Sequence, residues 1–148
     1  MEKKIISIIP ARSGSKGIIN KNIKPLSGEP LIAWSIKFAL ENDYISDCIV
    51  STDSYEIAEI AQNYGAEIPF IRDKKLASDT AKSSDVIIDV IKRCELDPKA
   101  VFVLLEPTSP YRLHKSFEKC KKIFEKNKLR KIVSVQENIS SSFRFQFF

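Results

Sequence analysis

Between residues 10 and 22 the chain reads Pro10-Ala11-Arg12-Ser13-Gly14-Ser15-Lys16-Gly17 and runs on to Asn20-Lys21-Asn22. Three cations, Arg12, Lys16 and Lys21, share this stretch with four small residues, Ser13, Gly14, Ser15 and Gly17. Small residues let backbone N–H groups approach a ligand closely, and the cations supply charge for an anion. The combination is chemistry for holding a polyphosphate. It fits neither of the best-known phosphate signatures. A Walker A loop needs four residues between its first glycine and the Gly-Lys pair, and a dinucleotide fingerprint needs Gly-x-Gly-x-x-Gly. Here only Ser15 separates Gly14 from Lys16, and Gly14 to Gly17 supplies only the last spacing. A flexible basic surface loop would have a similar composition. Position separates the two readings: the apolar run Ile5-Ile6-Ser7-Ile8-Ile9 reads as a buried strand. The loop therefore lies just past the carboxyl end of a strand, where open α/β sheets keep their ligands.

Three further polar segments follow. Ser51-Thr52-Asp53 closes a second apolar run, and Asp53 stands three residues before Glu56, the spacing of a capping box. Asp53 is therefore read as a helix cap. Leu76-Ala77-Ser78-Asp79-Thr80-Ala81-Lys82-Ser83 is rich in hydroxyls ahead of a helix, which reads as N-capping. Leu105-Glu106-Pro107-Thr108-Ser109-Pro110-Tyr111-Arg112 closes a fourth strand with a turn that its prolines stiffen. Its Glu106 stands at the ligand-binding edge or is a solvated loop residue.

The 148 residues suffice for one domain with a real core, expected to span 1–148. A hydrophobic fraction of 43% and a charged fraction of 29% suit a soluble globular protein. No apolar stretch approaches the ~20 residues of a membrane span. Glu2-Lys3-Lys4 leads directly into a strand, with no signal-peptide pattern. A cytoplasmic location with no membrane partner is expected. The net charge of +5 suits an anionic ligand. Nucleic acid is a rival for that charge, but much of the excess lies in Lys115, Lys119, Lys121, Lys122, Lys126, Lys128, Arg130 and Lys131. That run reads as a solvated helix face and its exit, and no nucleic-acid partner is expected. Cys48, Cys94 and Cys120 are far apart among apolar residues and read as buried free thiols. The lone histidine, His114, leaves little room for a His-based site and reads as an exposed residue in the first turn of a helix.

Strands and helices alternate around these segments. A helix is expected over 30–40 with Pro30 near its first position. A strand is expected over 47–51, a helix to about Tyr64 with Gly65 at its end, and a short strand over 67–71. A helix rich in Val86, Ile87, Val90 and Ile91 precedes a buried strand over 100–105. Phe117, Cys120, Ile123 and Phe124 mark another helix, and 131–135 a fifth strand. The pattern predicts an α/β fold, a doubly wound, mostly parallel sheet with helices on both faces. Phe143, Phe145 and Phe147 alternate like one face of a strand that needs a partner layer. They are expected to drive self-association.

The motif set resembles the acylneuraminate cytidylyltransferases, or CMP-sialic acid synthetases. It comprises Pro-Ala-Arg-Ser-Gly-Ser-Lys-Gly at 10–17, Lys21-Asn22, Ser-Thr-Asp at 51–53, Arg72 with Leu-Ala-Ser-Asp-Thr-Ala at 76–81, and Pro-Thr-Ser-Pro at 107–110. The sibling Kdo cytidylyltransferases match less well around Glu106. The resemblance runs from Lys4 to about Val135. It implies a nucleotide-diphospho-sugar transferase-like fold and transfer of CMP from CTP to an acidic nine-carbon 2-keto acid sugar, with release of pyrophosphate. It implies Mg²⁺ as cofactor, with the metal ligands unassigned, and a homodimer. Arg12, Lys16 and Lys21 become the triphosphate cations. Ser13, Gly14 and Ser15 become the nucleotide cradle, and Asn22, Arg72, Ser83 and Glu106 ligand-contacting positions.

Two departures stand out. The family usually carries glutamine before Pro-Thr-Ser-Pro, where this chain has Glu106. Family members also run on for roughly half as many residues again. That later part carries metal-binding aspartates, further strands and a dimerisation arm, so the fold is expected to be incomplete at its C-terminus. The alternative expectation is a CTP-binding domain without catalytic activity. Glu106, Asp53 and Asp79 are the carboxylates that could complete a metal site in the part present.

Overall fold

The computed structural model describes residues 3–14, 16–134 and 146–147, the last pair by backbone alone. Strands β1 (Ile5–Pro10), β2 (Pro25–Leu26), β3 (Glu29–Pro30), β4 (Asp47–Ser51), β5 (Val101–Leu104), β6 (Ile132–Val133) and β7 (Gln146–Phe147) alternate with helices α1 (Leu31–Leu40), α2 (Tyr55–Asn63), α3 (Ser83–Arg93) and α4 (His114–Lys126). Five strands form one sheet in the order β4-β1-β5-β7-β6. β1 lies parallel between β4 and β5, with Ile8 in register with Ile49 on one side and Leu104 on the other. β7 runs antiparallel between β5 and β6.

Alternation along β1 explains the two layers, because successive side chains leave a strand on opposite faces. Ile5 and Ile9 join Val50, Val101 and Val103 in a core that α1, α2 and α4 cover through Ile32, Ile36, Ile57, Ala61, Phe117 and Phe124. Ile6 and Ile8 join Ile49, Phe102 and Leu104 on the other face, under Ile87 and Val90 of α3. Each fully buried side chain of this kind is worth about 1.5–3 kcal/mol. The one polar residue inside β1, Ser7, is fully buried, and its hydroxyl donates to the Asp47 carbonyl at 3.1 Å.

Local details differ from expectation. α1 begins at Leu31, and Pro30 precedes it as the last residue of β3. β2 and β3 form a hairpin that the sequence pattern did not suggest; Ser27 and Gly28 between them have φ of 52° and 86°. Two successive positive φ values suit a tight two-residue hairpin turn, and Gly28 adopts such a φ without a Cβ penalty. The expected third strand is two isolated parallel bridges, Ile49 to Glu67 and Thr52 to Ile71. The fifth strand narrows to Ile132–Val133 and pairs with β7 rather than with a parallel neighbour. Cys48 is buried, whereas Cys94 and Cys120 are only partly so. His114 is exposed at the start of α4 and stacks on Phe38 at 4.7 Å. Phe143 and Phe145 lie outside the described residues, so of the aromatic stripe only the Phe147 backbone is placed, in β7. No helix among the described residues is long and apolar enough to cross a membrane.

The chain winds from β1 outward to β4 and the 67–71 segment, then crosses under the sheet through α3 to β5 on the other side of β1. The winding therefore reverses between β1 and β5. Ligands of open α/β sheets bind at such a reversal, beyond the carboxyl ends of the strands.

Candidate functional site

A cleft of about 240 Å³ opens at that reversal. Arg12, Lys21 and Asn22 line it from the β1 side, Arg72, Ser78, Asp79 and Ser83 from the α3 side, and Glu106, Pro107 and Thr108 from the end of β5. Six of the residues picked from the sequence thus share one cavity: Arg12, Lys21, Asn22, Arg72, Ser83 and Glu106. They are drawn from segments up to 94 positions apart in the chain.

The loop after β1 is held from several directions. Ala11 donates its N–H to the Ser51 carbonyl at 2.9 Å, which extends the β1–β4 ladder and delivers Arg12 to the sheet edge. Asn22 is buried, and its amide donates to the Arg12 carbonyl at 2.9 Å. The backbone N–H and the hydroxyl of Ser13 donate to the two carboxylate oxygens of Asp53, each at 2.8 Å. The helix-cap reading of Asp53 is therefore corrected. Ser54 caps α2, accepting the Ile57 N–H, and Asp53 is free to hold the loop. Gly14 and Gly17 have ordinary φ values, and a Cβ on either would meet nothing within 4 Å. Their backbone is thus open to approach rather than packed. Ser15 lies outside the described residues.

The cations divide into two kinds. Arg12 and Lys16 share one carboxylate: Asp79 Oδ1 lies 2.5 Å from Arg12 Nη1, and Oδ2 lies 2.8 Å from Lys16 Nζ. These contacts, Lys16 foremost, hold the Asp79 carboxyl below its usual range. Neither Lys21 nor Arg72 forms a salt bridge among the described residues. Arg72 is only 4% exposed and its Nε has no hydrogen-bond acceptor. Burial lowers its pKa, and the charge of Asp53 partly offsets that. A buried N–H without an acceptor is costly, and the Arg72 side chain that carries it lines the cleft.

The hydroxyls of 76–83 do not cap α3, which corrects the capping expectation. The N-cap is Lys82, with no side-chain hydrogen bond, and α3 opens at Ser83 on the cleft wall. Ser78 instead bonds the Lys75 carbonyl and the Thr80 hydroxyl. At the end of β5 the turn is pinned by Arg112, a residue the sequence did not single out. Its Nη2 donates to the Glu106 carbonyl at 2.6 Å and its Nη1 to Ser35 Oγ at 2.9 Å. Burial pushes the Arg112 pKa down to about 10. The Glu106 carboxylate itself is half-buried in the cleft without a cationic hydrogen-bond partner among the described residues. No cluster of three or more metal-ligating side chains occurs among the described residues.

The cleft thus offers two paired cations, two without a salt bridge among the described residues, one open carboxylate and an uncapped helix N-terminus, which carries partial positive charge. That arrangement suits a polyanion with a polar head. The sequence profile of the family described as cytidylyltransferase matches residues 6–144. A CMP-N,N'-diacetyllegionaminic acid synthase of Legionella pneumophila is 43% identical over 74% of this chain and 48% of that protein. An N-acylneuraminate cytidylyltransferase of Escherichia coli is 45% identical over 76% of this chain and 26% of that protein. A pseudaminic acid cytidylyltransferase of Campylobacter jejuni is 46% identical over 60% of this chain and 38% of that protein. The chain spans about half the length, or less, of these curated relatives. Among solved structures, a cytidylyltransferase from Leptospira borgpetersenii superposes with TM-score 0.77 at 18% identity, over 99% of this chain and 60% of that one. A CMP:2-keto-3-deoxy-manno-octonic acid synthetase complexed with CTP gives 0.71 at 19%, over 84% and 48%. At these identities the superpositions establish the fold alone. Because the profile match runs from β1 past β6 and takes in every segment that lines the cleft, the chain belongs to the cytidylyltransferase family.

Proposed function

We propose that the cleft binds CTP and serves transfer of CMP to a nine-carbon 2-keto acid sugar with release of pyrophosphate. The observation that carries this reading is the pair of cations without a salt bridge among the described residues, Lys21 and buried Arg72, in one cavity with Arg12. The triphosphate lies along residues 12–22, where Arg12, Lys16 and Lys21 neutralise it. Arg72 and Ser83 hydrogen-bond the cytosine edge, and Asn22 keeps the loop in place through Arg12. The anomeric hydroxyl of the sugar attacks the α-phosphorus as the bond to the β-phosphate breaks. The cations stabilise charge on the departing pyrophosphate, so the protein's contribution is positioning and electrostatics. The names of the relatives, which cover legionaminic, N-acylneuraminic and pseudaminic acids, support an acceptor of this class.

Both oxygens of Asp53 are committed to Ser13 and both of Asp79 face cations, so Glu106 is the cleft carboxylate we assign to hold Mg²⁺. One carboxylate plus substrate phosphates is a normal Mg²⁺ environment. Bound there, the ion would neutralise phosphate charge and would offset the repulsion between Glu106 and a carboxylated sugar. The reading extends to a cytoplasmic homodimer, whose second subunit would help to complete the acceptor side.

The test is a pyrophosphate-release assay with CTP and sialic, legionaminic or pseudaminic acid, run beside calorimetry of CTP and UTP. Tight CTP binding and weak UTP binding are expected. CTP binding without turnover on any sugar would show that this stretch of chain is the nucleotide-binding part alone. Equal affinity for the two nucleotides would overturn the base assignment. A Glu106→Gln variant loses activity if Glu106 holds Mg²⁺, and keeps or gains it if Glu106 merely stands in for glutamine.

A further inference from the structure

Asp79 sits on the turn that leads into α3 and reaches across the mouth of the cleft to the loop after β1. Its two oxygens take one cation each, Arg12 at 2.5 Å and Lys16 at 2.8 Å. A second contact ties the same two segments, from Arg12 Nη1 to the Ala77 carbonyl at 3.4 Å. Two oxygens and one negative charge, spread over two cations, reproduce the footprint of a single phosphate group. The carboxylate therefore occupies the place that the loop's composition prepares for a ligand.

We infer that Asp79 is an internal counter-anion that a bound polyphosphate displaces and that returns to Arg12 and Lys16 when pyrophosphate departs. The inference rests on the reading that the 12–22 loop holds the triphosphate. The contacts are of the kind that exchange readily. The side chains of Arg12, Lys16 and Asp79 are 34%, 82% and 37% exposed. An exposed ion pair shifts an equilibrium by only about one- to fivefold. A polyphosphate brings several charges and also reaches Lys21, which forms no salt bridge among the described residues. It therefore wins the exchange that a lone carboxylate holds against weaker anions. Once displaced, Asp79 stands beside a polyanion and is repelled, so the 78–82 turn must move with it. Its return competes with pyrophosphate for the same two cations, which shortens product residence.

The sign of one substitution separates this from an ordinary surface ion pair. Asp79→Asn keeps the size of the side chain and removes its charge. Calorimetric titration of inorganic pyrophosphate, in metal-free buffer, is expected to show about three- to tenfold tighter binding to the variant than to the unaltered chain. Asp79→Ser is expected to show the same gain, with thermal melts confirming that both variants fold. The gain is expected to vanish when Asp79→Asn is added to an Arg12→Ala/Lys16→Ala background, because no cations remain to compete for. Unchanged affinity would make the pairs merely structural, and weaker affinity would mean that Asp79 positions the cations rather than blocking them; either result overturns the inference. A gain for pyrophosphate together with no added affinity for CTP over pyrophosphate would uphold the counter-anion and refute the nucleotide reading. Absence of pyrophosphate binding in every variant would refute both.

Discussion

Asp53 and Ser54 are adjacent, and each does what the other could have done. Both are good cap residues, yet Ser54 caps α2 while Asp53 grips Ser13 across 40 positions. Ser54→Ala is expected to cost about 1 kcal/mol of stability and to leave CTP affinity unchanged. Asp53→Ala removes two charge-assisted hydrogen bonds from the loop and is expected to weaken CTP binding as well; thermal melts beside calorimetry read both. Equal loss of CTP affinity in the two variants would contradict the division of roles. Asp79 gives a pH signature. Its pKa is lowered below 3.8 on folding, so its pairing stabilises fully above that value and is lost as pH falls through the lower folded one. The offset in melting temperature between the unaltered chain and Asp79→Asn is expected to stay constant from pH 5 to 8 and to close only at more acid pH. Cys48 is buried, and burial pushes its thiol up to about 11, although Ser7 acts the other way. Alkylation followed by mass spectrometry is therefore expected to label partly exposed Cys94 and Cys120 well before Cys48.

Three helices end in the same device with different residues in the left-handed position. After α2, Gly65 (φ 93°) donates to the Gln62 carbonyl and Ala66 to the Ala61 carbonyl. After α3 and α4 the same pair of bonds closes over Glu95 (φ 50°) and Lys128 (φ 49°). Glycine adopts this conformation without the Cβ penalty that other residues meet. Glu95→Gly and Lys128→Gly are expected to stabilise the chain by about 0.5–1 kcal/mol each. Gly65→Ala is expected to destabilise it by about 1–2 kcal/mol, since the new Cβ would also lie 3.1 Å from Leu40 Cδ1. Denaturant titrations measure all three; a stabilising Gly65→Ala would show that the α2 end is not held as described. α3 differs at its start. Lacking a side-chain cap, it leaves backbone donors at Ser83 for a ligand on the cleft wall.

Taken as one molecule, the protein gathers cations from distant segments where the sheet reverses. Arg12 and Arg72 come from opposite walls of one cleft and feel each other's charge. Under the proposed function they read different parts of CTP. Arg12→Ala is expected to weaken both CTP and pyrophosphate by about 1.5–3 kcal/mol. Arg72→Ala is expected to weaken CTP while sparing pyrophosphate, because its target is the base. Calorimetry with the two ligands distinguishes the cases, and loss of pyrophosphate binding in Arg72→Ala would move that residue to the phosphate side. Arg112 links this edge to the core below it. Its guanidinium holds the Glu106 carbonyl and Ser35 together across 71 positions.

Much of this was legible without coordinates. Alternating apolar runs with turn residues between them determined the α/β class, because a strand buried on both faces needs helices above and below it. The placement of Arg12 and Lys21 just past the first strand marked the edge where the cleft opens, beyond the carboxyl ends of the parallel strands. Motif resemblance identified the further cleft residues Asn22, Arg72, Ser83 and Glu106. Partner choice was not legible. Asp53 could cap or clamp, Asp79 could cap a helix or pair with cations, and Arg112 showed no sign of being buried. Each outcome depends on which segment lies within 3 Å in space, and for Ser13–Asp53, Arg12–Asp79 and Arg112–Ser35 that segment is 40 to 77 residues away. Local pattern fixes what a side chain is able to bond; only the packed sheet, which brings β1, β4 and β5 side by side, decides what it meets.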